Sequence, residues 1–448
     1  MMCKNKVMAL ACLLSFSTSA FALDALNVYD EKKEIPCQQT SLEGTLDLLT
    51  VMEFAICNNP SLKSSYLSTQ TAGAEYGQAL SSYFPTVNAT ADVSHSENKI
   101  DGGNSNNASD ASAGLSLNWL LLDLGGRAST KDQFKAYLQS SYYGYDNTLQ
   151  NLLYSVAEAY YGVLAAEEKY EGLKESEKSS KKSFEEAKSR FDLGLVPLSD
   201  KLQAQTAYEQ ARLGSNIAQK NIALKRGELA VLLNLPPQTH FKLSRPKKDL
   251  KKEKRESIET LIETALKNRP DYLALEQKKE ASLLEIKKVK SSGLPTLSAT
   301  ASAGVGDNLK AGNDTHYNSS IGLKLSFPIF TGFSQSYKEG QAEFSYQKTL
   351  QDLEQSKNNI QNDVWSAVQD YETYFENYKI TQTLLESAKE SERVAFASYK
   401  VGKVNILTLL DAQAQLASAR IENSTAFYNV LIARNNILRA LGKMEKQQ

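Results

Sequence analysis

Phe191–Asp200 reads FDLGLVPLSD, and Tyr399–Thr408, 208 positions later, reads YKVGKVNILT. Each stretch lies between two long runs of helix-forming residues and carries one glycine, Gly194 or Gly402, where the chain must reverse. Glycine there supplies the positive φ that ends a helix without a steric cost. Pro197 cannot continue the old helix but suits the first turn of a new one. The two stretches read as the tips of two helical hairpins.

Outward from the tips, one order of elements occurs twice. Leu46–Tyr83 has helical spacing (Leu48/Leu49, Met52, Ala55/Ile56, Leu62, Tyr66), interrupted by Asn59-Pro60 and stopped by Pro85. The period then changes from 3.6 to 2. Val87, Ala89, Ala91 and Val93 alternate with polar residues over about 86–94, and Leu115, Leu117, Trp119 and Leu121 do so over about 113–122. The polar segment between them, about Glu97–Asp110, reads as a solvated loop. From Gly126 to Arg190 no proline occurs, which allows one helix of about 65 residues, roughly 95 Å long. Its apolar stripe is narrow: Leu149, Leu152/Leu153, Val156, Tyr160 and Val163/Leu164. Leu198–Leu233 is the return helix, stopped by Pro236-Pro237, and the Lys-rich PKKDLKKEKRE that follows reads as a solvated connector.

Then the pattern restarts. Asn268-Arg269-Pro270-Asp271 falls 210 positions after Asn58-Asn59-Pro60-Ser61, and Leu294-Pro295-Thr296 falls 210 after Phe84-Pro85-Thr86. The expected layout is a signal peptide at 1–22, an irregular arm at 23–45 and a first repeat at 46–237. A charged linker at 238–257, a second repeat at 258–442 and a short tail at 443–448 follow. The second repeat has strands at about 296–305 and 320–330, a Gly/Asn-rich loop at about Gly306–Asn318, and its tip at about 399–408.

The 448 residues carry 51 basic and 52 acidic side chains, a balance that excludes a nucleic-acid-binding surface. Lys4 and Lys6, the apolar Val7–Phe16 and Ala20-Phe21-Ala22 form a secretory signal. Cys12 after Ala11 invites a lipoprotein reading, but the apolar run before it is short and lacks leucine at the third position upstream. Cys37 and Cys57 would remain in the mature chain, as a disulfide closing a loop of about 21 residues or as two free thiols. No stretch offers 18 consecutive apolar residues, so no membrane-spanning helix is encoded.

Four amphipathic strands cannot close a membrane barrel, which needs about eight. An open sheet edge in hydrocarbon leaves backbone groups unpaired. The strands therefore call for other copies of the chain. Both helical hairpins leave the strands on one side of the bilayer. Tyr83, Phe84, Trp119, Phe327 and Phe330 gather at that junction, as an interfacial belt or as ordinary core.

This pattern resembles the TolC-like outer-membrane factors. The residues that carry the likeness are Asn59-Pro60 with its variant Arg269-Pro270, Phe84-Pro85, Leu294-Pro295, the run Leu325-Ser326-Phe327-Pro328-Ile329-Phe330-Thr331-Gly332, the two tips, and Ala440-Leu441-Gly442. The resemblance implies a mostly α fold with a small transmembrane β part. Four strands per chain would join a 12-strand barrel in a homotrimer, set in outer-membrane lipid on a long periplasmic α-helical barrel. It also implies an export channel that works with a periplasmic adaptor and an inner-membrane pump of ABC, RND or MFS type. On that likeness Leu193-Gly194-Leu195 and Val401-Gly402-Lys403 would dock the adaptor, with lysine at 403 where a small polar residue is usual. Asp200, Tyr399, Thr408 and Asp411 would form the entrance gate, Asp200 linked to Tyr399. Val404 stands where the family has arginine, and Thr408 where it has aspartate. Three Asp411 at a constriction would attract cations. The plainer reading makes both aspartates solvated helix-surface residues.

His95, His240 and His316 are scattered, without metal-ligand spacing, and no nucleophile, phosphate-loop or dinucleotide motif occurs. No catalysis, cofactor or metal is expected. The rival class is a secreted or surface coiled-coil structural or adhesive protein, which leaves the alternating segments and the duplication without explanation.

Overall fold

The computed structural model describes Leu26, Val28 and residues 44–98, 106–248, 250, 256–308 and 315–444. The signal peptide, most of the arm, Cys37 and residues 445–448 lie outside those residues. Cys57 is disulfide-bonded.

The first half comprises β1 (Thr45–Leu46), α1 (Leu48–Asn58), α2 (Pro60–Ser81), β2 (Thr86–Asn98), β3 (Asn106–Leu122), α3 (Gly126–Asp192) and α4 (Leu198–Leu232). After β4 (Lys242–Leu243) come α5 (Ile258–Asn268), α6 (Pro270–Ser291), β5 (Thr296–Asn308), β6 (His316–Ser326), α7 (Ser334–Lys400) and α8 (Ile406–Ala440). Paired helices match residue for residue: α1 and α5 have 11 residues, α2 and α6 have 22, α3 and α7 have 67, and α4 and α8 have 35.

Each half breaks its first helix at an X-Pro step, because proline forces the preceding residue out of the helical region. Asn59 and Arg269 are both extended, with ψ of 122° and 119°. The two halves then stabilise the break differently. Asn59 Oδ1 caps α2 by accepting from the N–H groups of Ser61 and Leu62, at 2.9 and 3.2 Å. Arg269 instead donates to Asp271 at 2.7 Å and to Asp363 at 2.9 Å. Burial alone would raise the Asp271 pKa, but the Arg269 guanidinium outweighs it and holds the carboxyl below its ordinary value.

The chain divides into two compact units. One unit contains residues 69–138 and 279–347, with one antiparallel sheet in the order β2-β3-β5-β6. The strands run further into the polar segments than alternation suggested. Ser94 pairs with Asp110 and Asn98 with Asn106, and Gly306 pairs with His316. Backbone pairing across the hairpin needs no apolar side chain, so it overrides the loop composition of 97–110 and 306–318. His95 and His316 are therefore strand residues, and His95 Nδ1 lies 2.8 Å from Ser109 Oγ. The last strand, by contrast, stops at Ser326 instead of continuing to 330. Pro328 has no N–H to give a ladder.

Each strand–helix junction turns through two consecutive residues of positive φ: Leu124 (51°) and Gly125 (104°) in the first half, Gly332 (62°) and Phe333 (65°) in the second. Each junction thus places one non-glycine residue in the left-handed region. Arg127 fastens the first junction by donating to the carbonyls of Leu120 (2.6 Å) and Leu121 (3.0 Å), where the β3–β5 register shifts. Trp119 Nε1 donates to Tyr83 O at 3.0 Å.

The other unit contains residues 44–68, 139–278 and 348–444. Its main core takes the stripe read from sequence, with Leu149, Leu152, Leu153, Val156, Tyr160, Val163 and Leu164 all buried against Val51, Leu229, Phe375, Phe427 and Tyr428. The charged linker expected at 238–257 is partly docked along its described residues. β4 pairs in parallel with β1, Phe241 is buried, and Tyr160 Oη donates to Ser244 O at 2.6 Å. Lys248 and Arg245 pair with Glu168 (2.8 Å) and Glu171 (2.6 Å) of α3. The acidic run on α3 is what the composition of the connector alone could not show.

Candidate functional site

Both tips close with the same backbone device. At the first, Leu195 N–H donates to Arg190 O and Gly194 N–H to Phe191 O, each at 2.8 Å, with Gly194 at φ 72°. At the second, Lys403 N–H donates to Ser398 O (2.9 Å) and Gly402 N–H to Tyr399 O (3.0 Å), with Gly402 at φ 75°. These paired bonds satisfy the last carbonyls of α3 and α7. The return helices begin differently. Pro197 offers α4 no side-chain cap, whereas Asn405 Oδ1 accepts both the N–H and the hydroxyl of Thr408, each at 3.0 Å. Thr408 is thus engaged in capping α8.

Beneath the tips Ala187, Ala204, Ala395, Tyr399, Ile406, Leu409 and Ala412 form a small core, with Phe184, Phe396, Val404 and Leu410 at its margin. Alanine on several helices lets them approach closely. Val404, where the resemblance asks for arginine, joins this apolar cluster. Above the core the docking candidates are bare: Leu193 is 71% exposed, Leu195 65% and Val401 68%. Gly194, Gly402 and Lys403 are exposed as well.

A guanidinium that sequence reasoning passed over ties the tips together. Arg190 Nη1 donates to Tyr399 O at 2.6 Å, and Nη2 to Lys400 O at 3.3 Å. Its Cζ lies 5.0 Å from the centre of the Tyr399 ring, and Glu186 Oε1 is 4.0 Å from Nε. The last carbonyls of α7 are the negative end of its dipole, where a cation is favoured. A basic residue four before a tip glycine was the available signal.

The expected Asp200–Tyr399 link is not a hydrogen bond within one chain. Tyr399 is 1% exposed, and its buried hydroxyl has no partner among the described residues. The nearby Arg190 sends its N–H groups to carbonyls instead. Burial raises the phenol pKa most, Arg190 pulls it down, and Asp200 adds to the rise through space. Asp200 itself is half-buried, with Oδ1 3.4 Å from Ser199 Oγ. Asp411 is exposed, and among the described residues its carboxylate accepts only from Gln415 Nε2 of its own helix, at 2.9 Å.

On the other face of α8 sits a buried polar cluster, also not anticipated. Gln413 Nε2 lies 2.9 Å from both Ser179 Oγ and Ser183 Oγ and 3.4 Å from Glu392 Oε1. A glutamine on the stripe Ile406, Leu409, Leu416 was the sequence signal for it. Among the described residues no group of His, Cys, Asp and Glu could hold a metal ion, and no helix is long and apolar enough to cross a membrane.

Comparison with known proteins agrees with the duplication. The pattern of the outer membrane efflux protein family matches twice, over residues 51–235 and 261–443. The chain is 26% identical over 422 residues to outer membrane protein TolC of Escherichia coli K12, covering 91% of this chain and 84% of that protein. It is 27% identical over 414 residues to the probable efflux pump outer membrane protein TtgC of Pseudomonas putida, covering 88% and 82%. The fold matches the crystal structure of the Campylobacter jejuni CmeC outer membrane channel with a TM-score of 0.76 at 21% identity, covering 88% of this chain and 85% of that one. The chain belongs to the outer membrane efflux protein family of TolC-like export channels, and its place is the outer membrane.

Proposed function

We propose that three copies of this chain assemble the outer-membrane conduit of a tripartite export system, in which the two hairpin tips form the periplasmic entrance. The observation that carries the reading is the four-stranded sheet with two free edges, β2 and β6, and its apolar residues exposed: Val87, Val93, Leu115, Ile321, Leu323 and Leu325. Such a sheet is complete only when other copies close it in lipid. At the other functional element, Leu193-Gly194-Leu195 and Val401-Gly402-Lys403 dock an adaptor, and the inner-membrane pump behind that adaptor selects the cargo.

In this reading the entrance is held by Arg190 across each pair of tips. Asp200, the Tyr399 hydroxyl and Asp411 reach neighbouring copies, and Thr408 serves mainly as a helix cap. Three Asp411 brought together favour cations on electrostatic grounds. The test is fractionation with detergent-dependent, heat-modifiable migration on gels, followed by conductance in planar lipid bilayers. An outer-membrane trimer with cation-selective conductance is the expected result. A soluble periplasmic monomer would refute it. Comparing secreted proteins and drug sensitivities after deletion of the gene identifies the cargo.

A further inference from the structure

We infer that Lys324 of β6 faces Asp92 of β2 in the next copy and that this ion pair sets the register of the seam between copies. The inference rests on the channel reading for the presence of other copies, and on the duplication for the residues.

The two hairpins superpose in number. Gly114 stands opposite Thr90 in the first and Gly322 opposite Thr300 in the second. So β2 maps onto β5 with an offset of 210, and β3 onto β6 with an offset of 208. Within the chain β3 pairs with β5, Gly114 facing Gly304, Ser116 facing Ser302 and Trp119 facing Ala299. Carried to the free edges, the same relation sets β6 antiparallel to β2 of the next copy. Leu323 then faces Val93 and Lys324 faces Asp92. Apolar meets apolar at the first of these positions, and at the second the single lysine of β6 meets the single aspartate of β2. Both charges are exposed on the polar faces of their strands, and neither has an ion pair among the described residues. A slip of one residue would set Lys324 against Val93 or Ala91, and a slip of two against Ser94 or Thr90. Only one register pairs the charges.

The helices beside the sheet continue the seam. Gln133 of α3 donates to Glu285 of α6 at 2.7 Å. Their counterparts at the same offsets are Gln341 of α7 and Glu75 of α2, both exposed. Ala136 of α3 is buried, while its counterpart Phe344 is 71% exposed. Tyr337, about two turns earlier on the same face of α7, is 80% exposed. A neighbouring α2 in the place that α6 takes within the chain would cover both aromatic rings and supply the carboxylate.

The test is disulfide trapping in the full chain. Directly opposite Cβ atoms lie about 4.5–5.5 Å apart and diagonal ones about 7–8 Å, and a disulfide needs about 3.5–4.5 Å. Asp92→Cys with Lys324→Cys should give covalent dimers and trimers on oxidation in outer-membrane fractions. Ser94→Cys with Lys324→Cys, and Thr90→Cys with Lys324→Cys, should not. Cys57 is already bonded and does not compete. Independently, Asp92→Lys alone and Lys324→Asp alone should lower the heat resistance of the unboiled trimer, and the two together should restore it. Trapping through a slipped pair in an intact trimer overturns the register and leaves the channel standing. A soluble monomer overturns both.

Discussion

Replacing Arg190 by alanine should loosen the entrance by a calculable amount. The side chain is 16% exposed, so its bonds are partly shielded from water. A hydrogen bond from a charged donor contributes about 1.5–3 kcal/mol. The Tyr399 carbonyl also accepts from Gly402 N–H at 3.0 Å, and the Lys400 contact is long at 3.3 Å, so the lower end applies. The stacking on Tyr399 adds about 0.5 kcal/mol at a partly exposed site. The total, about 2 kcal/mol, is roughly a 30-fold shift between docked and parted tips. Planar-bilayer recording should show a correspondingly higher open fraction for Arg190→Ala, and hydrogen exchange should quicken at the Leu195 and Lys403 amides. Arg190→Lys keeps the cation at the α7 terminus but loses the two-pronged grip, so it should fall between. Unchanged conductance together with unchanged exchange in Arg190→Ala would refute the reasoning.

Other residues give sharper contrasts. Tyr399→Phe removes a hydroxyl that has no partner among the described residues, so a change in conductance reports a partner in a neighbouring copy; Tyr399→Ala, in contrast, empties the tip core at a cost of about 3–4 kcal/mol, read as lost heat resistance. The Arg269–Asp271 pair makes a pH prediction. The Asp271 pKa is depressed in the folded chain, so its contribution is complete above the unfolded carboxylate value of about 3.9 and fades as pH falls below it. Thermal melts should therefore show an acid loss below about pH 4 that Asp271→Asn abolishes. Leu124→Gly relieves a left-handed leucine worth about 1–2 kcal/mol and loses about 0.5–1 to chain entropy, so it should slightly raise heat resistance. Gly332 already occupies that position in the other half.

The fold was legible because its signals are periodic and repeated. A stripe such as Leu149 to Leu164, alternation such as Val87 to Val93, and two X-Pro breaks 210 residues apart each state their element. Strand ends were less legible. Asp110 and Asn98 look like loop residues, and only their partners across the hairpin make them strand. Phe330 looks like strand, yet the missing N–H of Pro328 ends the ladder before it. At the tips the glycines and the exposed apolar residues were readable. Arg190 and Gln413 were not, since their partners are carbonyls and hydroxyls on other helices. Arg245 and Lys248 were hidden for the same reason, with Glu171 and Glu168 lying 74 and 80 residues away in sequence. Local patterns report what a residue prefers, and these residues are defined by what comes to meet them.

The matched lengths of α3 and α7, 67 residues each, have an evolutionary consequence. One residue inserted into α3 alone would advance its tip by about 1.5 Å and rotate it by about 100° against the other. Arg190 would then point away from Tyr399. Insertions in these helices are tolerable only as balanced pairs, one in each half, or as whole near-integral turns. The only net length difference between the halves from Asn59 onward, two residues, falls at the far ends of the hairpins, beyond Ser96–Ala108 and Gly306–His316, where the offset passes from 210 to 208. Alignments across the family should therefore show gaps gathered in the hairpin loops and in the connector, and coupled gaps in the long helices. Ancestral duplication gave the chain two copies of one ruler, and drift in either has had to be copied into the other.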